Sequence, residues 1–350
     1  MNNTDNLRHR CINSPVELLM EESRAISWEH FGKNIELYYS YYQDKSIETQ
    51  FTRDAREKYK LSYIKKIKST LINVTPIISL SGQRCELRCD HCKTITLRGM
   101  CGVDGPEELY RSVERFYKQG SKGILLSAGS RKDGSTIIEN DFNDTIKRIK
   151  KDFDMYIGLH AGYVSRERIK EIKELGVDSV LVDIIGHSDT LQKVYHIDRP
   201  LKVIEEVVNY TFEEGIDVIP HICIGLHYGQ IKGEYDAIDM LAKFPLKYLT
   251  FIILVPTPGT PMASLTPPSI TSVARVLAYG RLKLPNVIHS LGCTRPMGAY
   301  GEKTELMAIE LGCNRIAGIS SDTTISRCRK LGLKYNLGSH CCMIGNGLLE

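Results

Sequence analysis

The sequence predicts an α/β protein with a (β/α)8 barrel of the TIM type at its core. From residue 75 onward, short β-branched runs alternate with amphipathic stretches of helix length, and the alternation repeats eight times. Crossovers of this length place consecutive strands parallel in one sheet, and eight such units close the sheet into a barrel. Nearly every unusual residue lies at the end of a predicted strand, where barrel enzymes carry their chemistry.

Helical patterns separate the predicted strands, and several end on a glycine that can adopt the left-handed C-cap conformation. These patterns include PEELYRSVERFYKQG, SRERIKEIKELG, LKVIEEVVNYTFEEG and KTELMAIELG. The predicted strands are Pro76–Ser81, Gly123–Ser127, Met155–His160, Ser179–Asp183, Asp217–Ile224, Tyr248–Leu254, Asn286–His289 and Arg315–Ala317.

Two segments flank the predicted barrel. Residues 1–74 are polar and helix-prone, with the single tryptophan, Trp28, and a tyrosine-rich run around Tyr38, so we expect a helical N-terminal extension. Residues 75–335 form the barrel, and residues 336–350 form a C-terminal tail that carries a pair of adjacent cysteines.

Composition is that of an ordinary globular enzyme. The 350 residues are 42% hydrophobic and 25% charged, which excludes a disordered chain. The 46 basic and 42 acidic residues leave a net charge of +4, too balanced for a nucleic-acid-binding protein. No stretch reaches the roughly 18 uninterrupted apolar residues of a membrane span, and no secretion signal is evident, so we expect a cytoplasmic protein.

Three of the 11 cysteines form a CxxxCxxC motif after the first strand, in SLSGQRCELRCDHC. Cysteines in a cytoplasmic protein stay reduced, so a cluster of them indicates metal ligands. Cys85, Cys89 and Cys92 can bind three irons of a [4Fe–4S] cluster, which leaves the fourth iron open. The alternatives are a non-catalytic barrel stabilised by zinc, which prefers four ligands, or three unrelated core cysteines.

This motif resembles that of the radical SAM superfamily, and the resemblance covers about residues 75 to 335. It implies that S-adenosylmethionine (SAM) chelates the open iron and that the reduced cluster cleaves SAM to methionine and a 5′-deoxyadenosyl radical. That radical would abstract a hydrogen atom from an unactivated carbon.

Other strand ends resemble the SAM-binding positions of the superfamily. Ser127, Ala128 and Gly129 close the second strand, where small residues admit the methionyl amino group, although Ala128 departs from the usual glycine pair. Asp183 ends the fourth strand, where the resemblance implies a contact with the ribose or carboxylate of SAM; an ordinary loop carboxylate is the alternative. The fifth strand continues into a stretch that resembles the adenine-binding stretch, and its matching residues are Gly225, Gly229, Ile231 and Gly233.

Several segments together resemble the archaeal-type two-component lipoyl synthase family, which is related to biotin synthase. They are SLSGQRCELRCDHC, SAGSRKDG, VDIIGHSDTLQKVYHIDRP, PHICIGLHYGQIKGE, LVPTPGTPM and GCTRPMG. The resemblance implies sulfur insertion into an octanoyl chain on a lipoyl carrier protein, with a second radical SAM protein as partner and a reductase or ferredoxin as electron donor. Departures at Ala128, Ser130 and His160 leave open another cofactor-biosynthesis reaction, such as a biotin-synthase-like step, a rearrangement or a methyl transfer.

Sulfur insertion of this type implies an auxiliary iron–sulfur cluster as the sulfur donor. We expect Cys293, after the seventh strand, to bind it together with the adjacent Cys341 and Cys342. Cys223 occupies a position like that of an auxiliary-cluster ligand in biotin synthase, but the matching place on the third strand holds His160. The spare cysteines that bind nothing are expected to be buried in the core, as for Cys313, and Arg295 is expected to bind a carboxylate, line the cluster or form a surface ion pair. Three histidines are expected to be hydrogen-bonding wall residues: His160, His221 and His227.

Overall fold

The computed structural model describes residues 3–38, 75–319, 321–338, 341 and 343. The α-helices are α1 (Asn3–Asn13), α2 (Val16–Phe31), α3 (Pro106–Lys118), α4 (Phe142–Asp152), α5 (Arg166–Glu174), α6 (Ser188–Tyr195), α7 (Lys202–Glu213), α8 (Glu234–Leu241), α9 (Ile270–Lys283), α10 (Gly298–Glu310) and α11 (Asp322–Lys330). The strands are β1 (Asn34–Tyr38), β2 (Ile77–Ser79), β3 (Cys101–Gly102), β4 (Gly123–Ser127), β5 (Tyr156–His160), β6 (Ser179–Asp183), β7 (Asp217–Ile224), β8 (Tyr248–Ile253), β9 (Ile288–Leu291), β10 (Arg315–Ala317) and β11 (Lys334–Gly338). A short 3-10 helix, Ile95–Gly99, lies between β2 and β3.

The strands form one sheet in the order β11-β1-β10-β9-β8-β7-β6-β5-β4-β2-β3, and its pairs are parallel. From β4 to β10, neighbours in the sheet are also consecutive in sequence, because each strand is followed by a helical crossover. The predicted α/β barrel architecture is confirmed. Within the part of the chain that the structure describes, the edge strands β3 and β11 do not pair with each other, so the curled sheet is open at that seam.

Curling of the sheet encloses an interior on one of its faces. Leu125, Leu181, Ile219, Tyr248 and Ile288, from five different strands, pack in one buried cluster. The alternate residues of the same strands pack with the surrounding helices in a second, larger core. Because side chains alternate between the faces of a strand, residues two positions after a member of the first cluster also face the interior.

Most predicted strands match the observed ones within one residue at each end, and two of them differ more. The first is shorter than expected, and β9 begins two residues later than predicted, at Ile288. Pro285 and Asn286 belong instead to a turn in which the Val287 amide donates to the Leu284 carbonyl, and the ladder starts where the Ile288 amide donates to Lys247. The predicted C-cap glycines are confirmed by φ angles of 88°, 79°, 66° and 74° at Gly120, Gly176, Gly215 and Gly312.

The N-terminal segment contains the expected helices, but it also contributes a strand to the sheet. β1 lies between β10 and β11 and pairs with both of them in parallel. Glu36 on β1 forms a buried ion pair with Arg315 on β10. The segment is therefore part of the sheet. The sequence predicted only helices for this extension, because the strand's own sequence, NIELY, is too short to indicate a strand by itself. Tyr39 to Tyr42 of the tyrosine-rich run lie outside the described residues.

The predicted boundary between barrel and tail at residue 335 falls inside β11, which extends to Gly338 because it pairs with β1. Beyond it, Cys341 and Met343 are buried in the interior cluster. That cluster includes the first residues of β8 and β9, and Ile77 and Tyr156, the first residues of β2 and β5, pack against it. The tail residues therefore fill the interior at the amino ends of the strands. No described helix is both long enough and apolar enough to cross a membrane.

Candidate functional site

The three predicted cluster cysteines lie on one loop, residues 82–99, at the carboxyl end of β2; we call it the cluster loop. Its shape is unusual, since Arg88, Lys93 and Thr94 have positive φ angles of 48°, 42° and 70°. Residues other than glycine rarely adopt this conformation, and such strain concentrates at functional sites.

Asp90 ties the cluster loop to the neighbouring loops. Its amide donates to the Val194 carbonyl over 2.9 Å. Its carboxylate accepts hydrogen bonds from Tyr228 Oη at 2.8 Å and Lys93 Nζ at 3.0 Å, and lies 3.1 Å from His196 Nε2. The loop is thereby held at the mouth of the barrel from two sides.

The thiols of the motif are held close together. Cys89 is buried, Cys85 and Cys92 are half-buried, and the Ser130 amide donates to Cys85 Sγ over 3.4 Å. The pKa of Cys92 is lowered because its sulfur accepts a hydrogen bond from the Cys89 thiol and lies beside His91. That hydrogen bond and burial raise the pKa of Cys89.

These donors fit three corners of a cubane cluster. A [4Fe–4S] cluster takes one thiolate at each of its irons, so its ligands do not converge on one point. In residues 3–38, 75–319 and 321–338, together with 341 and 343, no three His, Cys, Asp or Glu side chains converge as ligands of a single metal ion. Three thiols on one strained loop, with no fourth cysteine in the motif, match a cluster that keeps one iron open.

The predicted small-residue segment at the end of β4 packs directly on the cluster loop. A Cβ on Gly129 would lie 2.0 Å from the Arg84 carbonyl oxygen and 2.5 Å from Cys85 Cβ. The Gly129 amide donates to Ser81 Oγ over 2.8 Å, and the Glu86 amide donates to the Ser130 carbonyl over 2.8 Å. Glycine is therefore required here because the two loops touch. The sequence pattern had explained the small residue by the approach of the methionyl amino group of SAM.

Asp183, at the end of β6, lies at the centre of the mouth. Tyr195 Oη donates to its carboxylate at 3.3 Å, and Tyr163 Oη donates to its backbone carbonyl at 3.0 Å. Its negative charge also shifts the pKa values of groups on several loops and strands. These groups are His91, His160, Tyr163, Tyr195, His221 and Cys223.

The interior face near the mouth is polar. Ser127, Asp183 and His221 each follow by two residues a member of the interior apolar cluster on the same strand. The rings of His160 and His221 are 5.8 Å apart, and burial lowers the pKa of both, that of His221 to about 4. At neutral pH both imidazoles are therefore uncharged hydrogen-bonding groups.

The glycine-rich stretch after β7 makes a compact turn beside this face. Gly225, Gly229 and Gly233 have φ angles of 80°, 84° and 101°, and Ile231 between them is half-buried. Glu234, which the sequence did not single out, accepts a hydrogen bond from the Gly225 amide over 2.7 Å. The sequence did contain a sign of this contact, since Glu234 is an acidic residue at the start of a helix and directly follows the glycine-rich stretch.

Of the predicted auxiliary-cluster cysteines, the structure describes Cys293 and Cys341, and it places them at different ends of the sheet. Cys341 is buried in the apolar cluster that also contains Ile288, whereas Cys293 follows Leu291 at the other end of β9. The strand alone separates these ends by roughly 10 Å. This separation does not favour a cluster shared by Cys293 and Cys341, which stays a prediction, and Cys342 lies outside the described residues.

Arg295 is a scaffold residue. Its guanidinium is buried and donates to the carbonyls of Gly292, Ala317 and Gly318 and to the Glu305 carboxylate. These contacts clamp the carboxyl ends of β9 and β10 together. The expectation that Arg295 binds a carboxylate is met by Glu305 of this chain, and its burial excludes a surface ion pair.

Sequence comparisons connect the site to one family. The family described as "Radical SAM superfamily" matches residues 79–244. A biotin synthase of Ruthia magnifica subsp. Calyptogena magnifica is 26% identical over 160 residues, which are 44% of this chain and 48% of that protein. A biotin synthase of Corynebacterium jeikeium is 22% identical over 232 residues, 61% of this chain and 60% of that protein. The chain spans about half the length of the first of these relatives.

Solved structures share the fold over almost the whole chain. Methylornithine synthase (PylB) matches with a TM-score of 0.63 and 13% identity, over 95% of this chain and 94% of that one. HydG, a maturase of the [FeFe]-hydrogenase, matches with a TM-score of 0.63 and 14% identity, over 95% of this chain and 74% of that one. At this identity the likeness concerns architecture only.

Proposed function

We propose that this chain, whose residues 79–244 match the radical SAM superfamily, uses SAM at the mouth of its barrel to start a radical reaction of the cofactor-biosynthesis type. The observation that carries the proposal is the cluster loop, which places three cysteines at the carboxyl end of β2 and packs Cys85 against Gly129 and Ser130. Cys85, Cys89 and Cys92 would hold a [4Fe–4S] cluster there.

Each wall of the mouth has a distinct task in this proposal. Bound together, the cluster and SAM supply a 5′-deoxyadenosyl radical. Ser127, Ala128 and Gly129 border the cysteines, and Asp183 presents a carboxylate that Tyr195 orients. The turn formed by Gly225, Gly229, Ile231 and Gly233 closes the side next to β7. We assign these residues to SAM binding, while the interior face below them receives the substrate.

The finer reaction that we propose is sulfur insertion into an octanoyl chain on a lipoyl carrier protein, together with a second radical SAM protein. The combined lipoyl-synthase-like segments support it, and so does the similarity to biotin synthases. An auxiliary cluster as sulfur donor would then use Cys223 and Cys293, which are both at the carboxyl ends of their strands. Cys341 at the opposite end is not part of this proposal.

The polar interior face favours a second candidate, hydrogen abstraction from a small polar substrate. His160, His221 and Asp183 face the space in which the reacting carbon must lie, and none of them matches an aliphatic chain. In this alternative the two neutral imidazoles bind a polar group of the substrate.

Iron and sulfide counts on anaerobically reconstituted protein test both the proposed SAM-binding cluster and the proposed auxiliary cluster. We expect about eight irons per chain if an auxiliary cluster is present and about four if only the first cluster is bound. The Cys85→Ala/Cys89→Ala/Cys92→Ala variant should lose about four irons. The matched control is Cys11→Ala/Cys313→Ala/Cys328→Ala, which changes three core cysteines and should lose none.

The outcomes separate the candidates. Zinc at one per chain, without iron or sulfide, would refute the radical SAM proposal. Four irons with SAM cleavage, but no product from the octanoylated carrier with its partner protein, would refute sulfur insertion and leave the polar-substrate reaction. Eight irons with a thiolated octanoyl product would establish the first candidate.

A further inference from the structure

The cluster loop carries exposed basic side chains that have no part in the proposed SAM site. Residues 82–99 contain four basic and two acidic residues, and Lys93 pairs with Asp90 at 3.0 Å. Arg84, Arg88 and Arg98 are exposed. Within the described residues, their guanidinium groups form no ion pair, hydrogen bond or ring contact.

These arginines surround the cysteines. Arg84 and Arg88 directly precede Cys85 and Cys89, and Arg98 lies in the last turn of the 3-10 helix that follows Cys92. Lys132, on the loop after β4, is exposed beside them, and its amide donates to the Glu86 carboxylate over 3.1 Å. Glu86 is thus the exposed acid within a basic surface.

The same surface is the short route to the cluster. Arg84 and Arg88 are the direct chain neighbours of Cys85 and Cys89, so a protein bound to these arginines lies close to the residues that would hold the cluster. Electron transfer slows steeply with distance, so a donor bound to these arginines would be well placed to reduce the cluster. Exposed arginines favour an acidic partner and accelerate its association.

We infer that the outer surface of the cluster loop, defined by Arg84, Arg88 and Arg98, is the docking site of an acidic one-electron carrier protein. The inference rests on the proposed function. In the step it serves, the carrier loses one electron and the cluster gains it, and no atom is transferred.

The test uses reconstituted holoenzyme and reduced flavodoxin, an acidic one-electron carrier, as the probe. Cluster bleaching is followed by stopped flow, and flavodoxin affinity is measured separately by titration. We expect Arg84→Gln/Arg88→Gln/Arg98→Gln to slow reduction about tenfold or more at low salt and to weaken binding. The wild-type rate should fall as salt rises, and the variant should lose that dependence.

Three controls separate docking from other effects. Lys122→Gln/Lys147→Gln/Lys170→Gln removes the same charge from exposed residues away from the mouth and should change nothing. Arg84→Lys/Arg88→Lys/Arg98→Lys should retain most of the wild-type rate. Photoreduced deazariboflavin, a small neutral reductant, should reduce all variants equally.

An unchanged rate and affinity with flavodoxin in the arginine variant would overturn the inference while the proposed function stands. A wild-type rate independent of salt would do the same, even if the variant failed to fold. A wild-type chain that binds no cluster would overturn both.

Discussion

Gly129 is the residue at which the loop after β4 meets the cluster loop. Its missing side chain leaves room for the Arg84 carbonyl and for Cys85, which are backbone and near-backbone groups. Neither group can move without shifting Cys85, the first cluster cysteine. A side chain at position 129 would therefore displace the cluster loop.

Gly129→Ala should therefore destabilise the protein by about 1–3 kcal/mol and lower its iron content. Gly105→Ala is the matched control, since its backbone is extended and a Cβ there meets no atom within 4 Å. Denaturant unfolding and iron analysis measure both effects. An alanine variant with wild-type stability and iron content would contradict the close contact.

Glu234 is the buried carboxyl of the mouth, and burial raises its pKa to about 7. One oxygen accepts the Gly225 amide, and the exposed Asp236 is its charged neighbour. Since the folded protein holds the proton more tightly than the unfolded chain, this group contributes stability at acidic pH. That contribution is lost as pH rises from about 4.5 to about 7.

Replacing Glu234 by Gln should remove this loss, which is about 3 kcal/mol for a shift of this size. The amide oxygen still accepts from Gly225 and stays neutral at every pH. Urea unfolding at pH 5 and pH 8 measures the difference, with the exposed Glu174→Gln as control. If wild type and Glu234→Gln lose the same stability between the two pH values, the carboxyl is not titrating as stated.

At the scale of elements, the carboxyl ends of the strands form the polar mouth, and the C-terminal tail fills the interior at their amino ends. The carboxyl ends of β4, β6 and β7 carry the polar groups of the mouth, while Met343 closes the amino end. A Cβ on Gly158 would lie 2.4 Å from Met343 Sδ, which shows how closely the tail side chain fits against β5. The tail is a plug of the barrel.

Met343→Ala should leave a cavity and cost about 2–5 kcal/mol. Met297→Ala is the control, because Met297 is 49% exposed and its removal leaves no cavity. Thermal and urea unfolding report the difference. Equal stability of the two variants would show that the tail does not plug the barrel in solution.

At the scale of the molecule, the sheet joins the two ends of the chain. β1, from the N-terminal segment, lies between β10 and β11, which come from the C-terminal part of the chain. The buried Glu36–Arg315 pair crosses this junction, and Tyr38 Oη also donates to the Glu36 carboxylate.

Glu36→Gln should destabilise the whole protein by about 3–5 kcal/mol, because it removes the negative charge that faces the buried Arg315 guanidinium. The double variant Glu36→Leu/Arg315→Met, with an apolar pair of similar volume, should recover much of that loss. Double-mutant analysis of urea unfolding provides the measurement. A mild effect of Glu36→Gln alone would mean that the junction is hydrated.

The sequence by itself determined the architecture of residues 75 to 319 and the cysteine motif. Period-two strands and amphipathic helices are local patterns, and a CxxxCxxC spacing lies within one loop, so both can be seen in a linear string. The glycine C-caps followed for the same reason, since each is set by the turn that it ends.

Only the tertiary structure decided which distant segments meet. In the sequence, Cys293 and Cys341 look equally able to bind a cluster, yet the length of β9 lies between them. The Arg295 guanidinium donates its hydrogen bonds to Glu305 and three backbone carbonyls of this chain. β1 was missed because a strand of five residues is recognised by its neighbours more than by its own pattern. Long-range pairing, burial and the sharing of a carboxylate such as Asp183 among several loops depend on the curled sheet, and no local pattern encodes them.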